Sequence, residues 1–430
     1  MRTDFSPQQQ NNPSLALAQS AIRACVHCGL CTATCPTFLL LGDELDSPRG
    51  RIYLIKDMLE QDRAASELEV KHLDRCLHCL ACTSVCPVDV DYHHLLDRGY
   101  EHIAQTYRRP FRQRLLRAFL GQVLPRPGLF YWLMTAARLI TPVARWLPGI
   151  MGRWMAKMPR RVYHSDRYSQ PGVFPAQGRR RMRVAMLAGC AQQVLDPAIN
   201  AATIRLLNRH GCEVVIAEQS TCCGALNHHL QQFATATQRA IANIRAWRQQ
   251  IDKEGLDAIV INTSGCGMHV RDYAHLLRDD KTWSQSARQI SELCCDISEL
   301  MQQIGLGEAR DVGQSNLRIA YQAPCSLQHA QHISEAPLSL LREAGFNVLE
   351  VPQGHLCCGS AGSYSLLQAN IADRLGEQKA NHIASLKPDL VVSGNIGCMQ
   401  HLQARINVPI VHSVQLLDWA TGGPDPRSGR

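Results

Sequence analysis

From residue 184 onward the chain alternates short apolar runs with longer stretches whose apolar positions recur every three or four residues. VAML at 184–187 and AIVI at 258–261 have the length and content of buried strands, whereas INAATIRLLNRHG at 199–211 and ATQRAIANIRAWRQQ at 236–250 carry the helical period. Such alternation predicts parallel strands joined by helical crossovers. The pattern occurs twice. LAGC ending at Cys190 aligns with APC ending at Cys325, and Cys222-Cys223 with Cys357-Cys358, both at an offset of 135 residues. AIVINTSGC ending at Cys266 aligns with LVVSGNIGC ending at Cys398 at an offset of 132. The expected class is α/β, its C-terminal part duplicated (184–310 and 311–430) on mostly parallel sheets.

Residues 1–107 read as a separate α-helical block interrupted by cysteine runs, and GDELDSPRGRIYLIKDMLEQ at 42–61 reads as a turn at Pro48-Arg49-Gly50 entering an amphipathic helix. Between the two lies a connector, 108–183, with seventeen Lys or Arg against one acid, Asp166. The net charge is +8, so this connector at +16 leaves −8 on the rest. Its apolar and aromatic part has a longest uncharged run of eleven residues, 127–137, too short for the roughly 20 that span a bilayer. A basic, Trp-rich amphipathic stretch suits an anionic membrane surface, or packing against its own domains or a partner. No nucleic-acid motif accompanies the charge.

The first twenty residues lack an apolar core after a basic start, so no secretory signal is expected and the compartment is read as cytoplasmic. Nineteen cysteines there point to metal or redox chemistry rather than structural disulfides. CVHCGLCTATCP (Cys25, Cys28, Cys31, Cys35) and CLHCLACTSVCP (Cys76, Cys79, Cys82, Cys86) are both C-x2-C-x2-C-x3-C-P runs. Three cysteines at this spacing wrap one cubane and the fourth reaches the other run's cluster. Crossed ligation thus predicts Cys25, Cys28, Cys31 and Cys86 on one 4Fe-4S centre, and Cys76, Cys79, Cys82 and Cys35 on the other. Two zinc sites would leave the third cysteine and the proline of each run unexplained. Arg49 and Arg51 are candidates to offset cluster charge, or are simply solvated.

The eight cysteines in register, Cys190, Cys222, Cys223, Cys266, Cys325, Cys357, Cys358 and Cys398, each follow an expected strand, where sites gather in open α/β sheets. Cys212, Cys294 and Cys295 have no counterparts and read as small buried side chains. His269 and His401 recur three residues after Cys266 and Cys398 and are candidate ligands or neighbours of ligands. His329 and His355 lie near the second cysteine set and are candidates too.

The paired CCG repeats resemble the cysteine-rich domains of the heterodisulfide reductase B type, shared with iron-sulfur subunits of glycerol-3-phosphate dehydrogenase and lactate-utilisation proteins. With the twin-cluster front, GDELDSPRGRIYLIK, HLCCGSAGSY and SGNIGC, the chain is most similar to the iron-sulfur subunits of bacterial glycolate oxidases. That resemblance implies a non-catalytic partner of FAD-binding subunits that oxidise glycolate to glyoxylate. Electrons would pass toward a membrane quinone or similar acceptor at the cytoplasmic face of the inner membrane. In heterodisulfide reductases the repeats close with C-x-x-C, whereas His269 and His401 stand here in place of the last cysteine. Whether these sites hold a cluster, zinc or nothing stays open, as does a disulfide reductase acting at a CCG site.

Overall fold

Ser47 starts the helix Pro48–Glu60: its hydroxyl accepts from the Gly50 amide at 3.0 Å, and Pro48 fills the first helical position, where no N–H is needed. The helices Pro13–Ala24, Glu67–Asp74 and Tyr92–Thr106 join it around a core that includes Ile22, Ile55, Met58, Leu73, Leu96 and Ile103, all sealed from solvent. In this computed structural model, residues 1–144 and 161–428 are described; the expected connector residues 145–160 lie outside them. The chain divides into two compact units. Met1–Arg117 with Gln353–Leu375 forms the helical one, and Ala118–Pro352 with Gly376–Arg430 the other.

The second unit holds both sheets. Strands β1 (Gly172–Phe174), β2 (Met182–Met186), β3 (Cys212–Ile216), β4 (Ala258–Ile261) and β5 (Cys294–Asp296) are ordered β1-β3-β2-β4-β5. All pair in parallel except β1, antiparallel to β3 at the edge. Strands β6 (Arg318–Tyr321), β7 (Asn347–Glu350), β8 (Leu390–Ser393) and β9 (Ile410–His412) form a wholly parallel sheet ordered β7-β6-β8-β9. Without the edge strand the two orders are the same, so the duplication read from cysteine spacing is a duplication of topology. In each, the chain crosses to one side of its first strand and then to the other, opening a crevice at the carboxyl ends. Val184, Ala185, Ile259 and Val260 are fully buried, and Ala185 and Ile259 pack with Trp247 and Ile244 of the helix Phe233–Glu254.

Polar contacts join the two repeats. Arg205 and Arg209 both reach the buried Asp418 carboxylate at 2.5 Å, and Ser264 accepts from Ser326 at 2.8 Å and Asn395 at 2.9 Å. The connector helix Pro127–Ala144 packs Phe130 and Met134 on Val194 and exposes Leu129, Trp132, Leu133 and Leu139. Among the described residues, no helix is long and apolar enough to cross a membrane.

Candidate iron-sulfur and cysteine-rich sites

Both cysteine runs of the first unit turn in the same way. His27 and Gly29 in one, His78 and Leu80 in the other, hold positive φ of 56°, 82°, 52° and 56°. The backbone between successive cysteines therefore curls inward, a conformation that costs an L side chain energy and concentrates at functional sites. The result is two adjacent cavities. One is bordered by Cys25, Cys28, Cys31 and Cys86, the other by Cys35, Cys76, Cys79 and Cys82, with Cys82 reaching both walls and Pro48 and Tyr92 between them.

Burial pushes the Cys31 thiol up to about 11, opposed by the Arg49 backbone amide and reinforced by Cys25, Cys35 and Cys28. Burial likewise holds Cys82 well above the ordinary thiol range. Crowded thiols cannot all ionise without a cation among them, so metal binding here is coupled to deprotonation. The donor set fits iron-sulfur: each cavity offers the four cysteines one centre needs, Cys82 bordering both, with cationic side chains alongside that suit an anionic cluster.

Arg51, fully buried, donates from Nε to the His72 carbonyl at 2.8 Å and from Nη2 to Thr37 Oγ1 at 3.0 Å, and its Nη1 lies 3.9 Å from Cys35 Sγ. The Asp46 carboxylate answers it at 3.6 Å while bonding His72 Nδ1 at 2.9 Å and Arg75 Nη1 at 2.7 Å. Tyr92 Oη lies 3.7 Å from Cys76 Sγ. Cys357 and Cys358, both buried, belong to this unit, as does Tyr364, whose hydroxyl donates to the Arg75 carbonyl at 3.0 Å.

In the second unit the parallel order of β3, β2 and β4 brings the loops carrying Cys222-Cys223, Cys190 and Cys266 to one edge. Their thiols neighbour one another in the order Cys190, Cys222, Cys223 and Cys266, each altering the protonation of the next. Cys222 is pulled well below the ordinary thiol range by hydrogen bonds from Cys190 and Cys223, which are themselves pushed up. Four neighbouring thiols, three of them buried, offer the sulfur donors that soft or borderline metals prefer.

Supporting residues fix this geometry. Asn243, fully buried, accepts from the Thr221 amide at 2.7 Å and donates to the Cys222 carbonyl at 3.2 Å, while Tyr273 Oη donates to the Cys223 carbonyl at 2.6 Å. Gln192, Asn200 and Asn262 form a buried amide network, and Asn200 ties it to the Ala188 carbonyl just before Cys190. Sequence reading missed these polar residues, because an isolated Asn carries no spacing signal. Gly224 has φ +100°, and a Cβ there would lie 3.0 Å from the Ala236 carbonyl oxygen and 3.2 Å from His269 Nε2.

His269, on the helix Ser264–Arg271, is buried beside the quartet's glycine, its ring 5.3 Å from His228 and 5.7 Å from Tyr273. His401, on Ile396–Gln403, is also buried. Cys325 and Cys398 belong to the second unit, Cys325 following β6 and Cys398 following β8. Cys212 and Cys294 are buried on β3 and β5, and Cys295 is half-buried on β5.

Residues 21–90 match the 4Fe-4S dicluster domain family, and residues 184–271 and 319–403 match the cysteine-rich domain family. The chain is 41% identical to the glycolate oxidase iron-sulfur subunit of Escherichia coli strain K12, covering 98% of this chain and 99% of that one. It is 30% identical to the probable glycolate oxidase iron-sulfur subunit of Bacillus subtilis strain 168, over 96% and 97%. Lactate utilization protein A of Geobacillus thermodenitrificans is 25% identical over 55% of this chain and 99% of its own length. A hypothetical protein from Helicobacter pylori, solved by crystallography, matches with a TM-score of 0.54 at 10% identity, covering 96% of this chain and 73% of that one, a likeness of fold alone. With two cysteine-lined cavities, a duplicated cysteine-rich fold and end-to-end identity of this degree, the chain belongs to the family of glycolate oxidase iron-sulfur subunits.

Proposed function

We propose that this chain carries electrons away from FAD subunits that oxidise glycolate to glyoxylate, toward a membrane quinone or similar acceptor. The observation that carries this reading is the pair of adjacent cavities, each bordered by a crossed set of four cysteines. Cys25, Cys28, Cys31 and Cys86 would hold one 4Fe-4S centre and Cys76, Cys79, Cys82 and Cys35 the other. Such centres supply reversible one-electron transfer when bound. The chain's own part is to present the sulfurs, burying Cys35, Cys79 and Cys82 of the second set and leaving Cys28 of the first exposed.

The neighbouring cysteines Cys190, Cys222, Cys223 and Cys266, at the ends of β2, β3 and β4, support a further metal site, iron-sulfur or zinc, with His269 close by. By duplication, Cys325, Cys398 and His401 of the second unit are the counterparts of Cys190, Cys266 and His269. Association with an anionic membrane surface through the connector helix is part of the same reading. The acid oxidised is set by the flavin subunit.

Anaerobic co-purification with iron, sulfide, zinc and flavin quantified together tests the division of labour. The expected result is flavin only when the partner subunits are present. The ferredoxin-like front should account for about eight irons per chain, with metal beyond that from the cysteine-rich repeats. Flavin retained by the isolated chain, or disulfide turnover by it alone, overturns the proposal.

A further inference from the structure

Two arginines of one helix, Pro48–Glu60, address the two cavities in different ways. Arg49 borders the first cavity, but its guanidinium is bound to Glu44 at 2.5 Å and both side chains are well exposed, at 34% and 47%. Its charge is therefore compensated on the spot and screened by water. Arg51 borders the second cavity with 1% of its side chain exposed, and reaches Cys35 Sγ at 3.9 Å. Its surroundings carry two guanidinium groups, Arg51 and Arg75, against one buried carboxylate, Asp46, which also bonds His72; the second carboxylate nearby, Asp43, is 4.0 Å from His72 and 43% exposed, so water screens it. A fixed positive charge in a low-dielectric site favours whichever state of a neighbouring group is more negative.

We propose that Arg51 sets the reduction potential of the centre held by Cys35, Cys76, Cys79 and Cys82, raising it above that of its twin, so that electrons entering at the exposed first centre collect at the buried second. Reduction adds one electron to the centre and no bond is made or broken. Burial alone would order the pair the other way, because a dry site penalises the more negative, reduced form. The buried cation opposes that penalty at the second centre alone. The inference rests on the reading that both cysteine sets hold 4Fe-4S centres.

The test is an EPR-monitored redox titration of the full chain, purified anaerobically. If the wild type shows no iron and no cubane signals, the cluster reading itself fails, separately from this inference. With both signals present, Arg51→Gln is expected to shift the reduced-to-oxidised ratio of one centre at least tenfold toward oxidised, about 59 mV for one electron. The other centre should hold still, and Arg51→Lys should restore most of the shift. Asp46→Asn, which removes the counter-charge, should move the same centre upward. Arg49→Gln should shift the first centre severalfold less than Arg51→Gln shifts the second. If Arg51→Gln does not load iron, Arg75→Gln, at a residue one-quarter exposed, reads the same centre with a smaller downward shift. Equal movement of both centres, no movement, or a wild-type second centre lying below the first overturns the proposal.

Discussion

The Arg51 guanidinium and the Asp46 carboxylate stand 3.6 Å apart with 1% and 0% of their side chains exposed. Neither charge has access to water, so each depends on the other and on the ring of partners around them. Asp46 also takes Arg75 at 2.7 Å and His72 Nδ1 at 2.9 Å. Removing one partner of a buried ion pair strands the other, at a cost of about 3–5 kcal/mol. Asp46→Ala is accordingly expected to destabilise the first unit by that order, measured by anaerobic thermal unfolding. A loss below about 1 kcal/mol contradicts the account.

The adjacent cysteines of the first repeat are held by Asn243, which satisfies the Thr221 amide, the Cys222 carbonyl and the Tyr273 hydroxyl together. Asn243→Ala leaves the Thr221 amide without its partner, at about 1–3 kcal/mol, while the Cys222 carbonyl keeps the Thr221 hydroxyl and Tyr273 keeps the Cys223 carbonyl. We expect the variant to lose stability by at least that much and to lose metal from the quartet. Cys212→Ala is the control: Cys212 sits on β3, outside the quartet, so metal content should match the parent. Loss of metal on changing Cys212 contradicts the assignment.

The strands and crossovers were legible because burial leaves a periodic trace: VAML and AIVI became β2 and β4, and ATQRAIANIRAWRQQ lies within Phe233–Glu254. The edge strand β1 was not legible, since three residues of GVF have no period to read. Register between the repeats survived in the cysteines, whose offset needs no structural inference at all. What spacing cannot carry is long-range polar partnership. Nothing local to Asp46 announces Arg51, His72 and Arg75, and nothing near Tyr364 announces a carbonyl 289 residues away. The association of Gln353–Leu375 with the first unit belongs to the same class of fact.

Each CCG glycine turns left-handed under a helix carbonyl. At Gly359, φ +90°, a Cβ would sit 2.6 Å from the Ala372 oxygen, closer than the 3.0 Å between a Cβ at Gly224 and the Ala236 oxygen. Positive φ in a non-glycine residue costs on the order of 1–3 kcal/mol, and the clash adds to it. Gly359→Ala should therefore destabilise more than Gly224→Ala, in paired denaturant titrations. The reverse order contradicts the geometry.

Asp296 caps the helix Ile297–Ile304, its carboxylate accepting from the Ser298 amide at 2.8 Å, yet burial raises its pKa from 3.8 to about 6. The folded state therefore holds this proton more tightly than the unfolded chain. The stability it contributes is complete below about pH 4 and is lost as pH rises through 6, worth about 3 kcal/mol in full and about 1 kcal/mol between pH 5 and 7.5. Asp296→Asn keeps an accepting oxygen and does not titrate. Its melting temperature relative to the parent should climb between pH 5 and 7.5, and a constant difference counts against the buried carboxylic acid.

Among the described residues, the connector helix Pro127–Ala144 leaves an apolar face exposed. Phe130 and Met134 pack on Val194, while Leu129, Trp132, Leu133 and Leu139 line the other side, Trp132 at 69% and Leu139 at 81% exposure. The block around it carries +16. An apolar stripe within a cationic segment suits the interface of an anionic bilayer, where the side chains bury against acyl chains and the charges meet headgroups. Burying one such side chain is worth about 2 kcal/mol, so Trp132→Ser with Leu139→Ser should weaken binding to vesicles containing phosphatidylglycerol by more than tenfold in a sedimentation assay. Raising the salt should weaken the parent as well, because the charges share the work. Unchanged vesicle binding together with lost capture of the flavin subunits would assign the face to a protein partner instead.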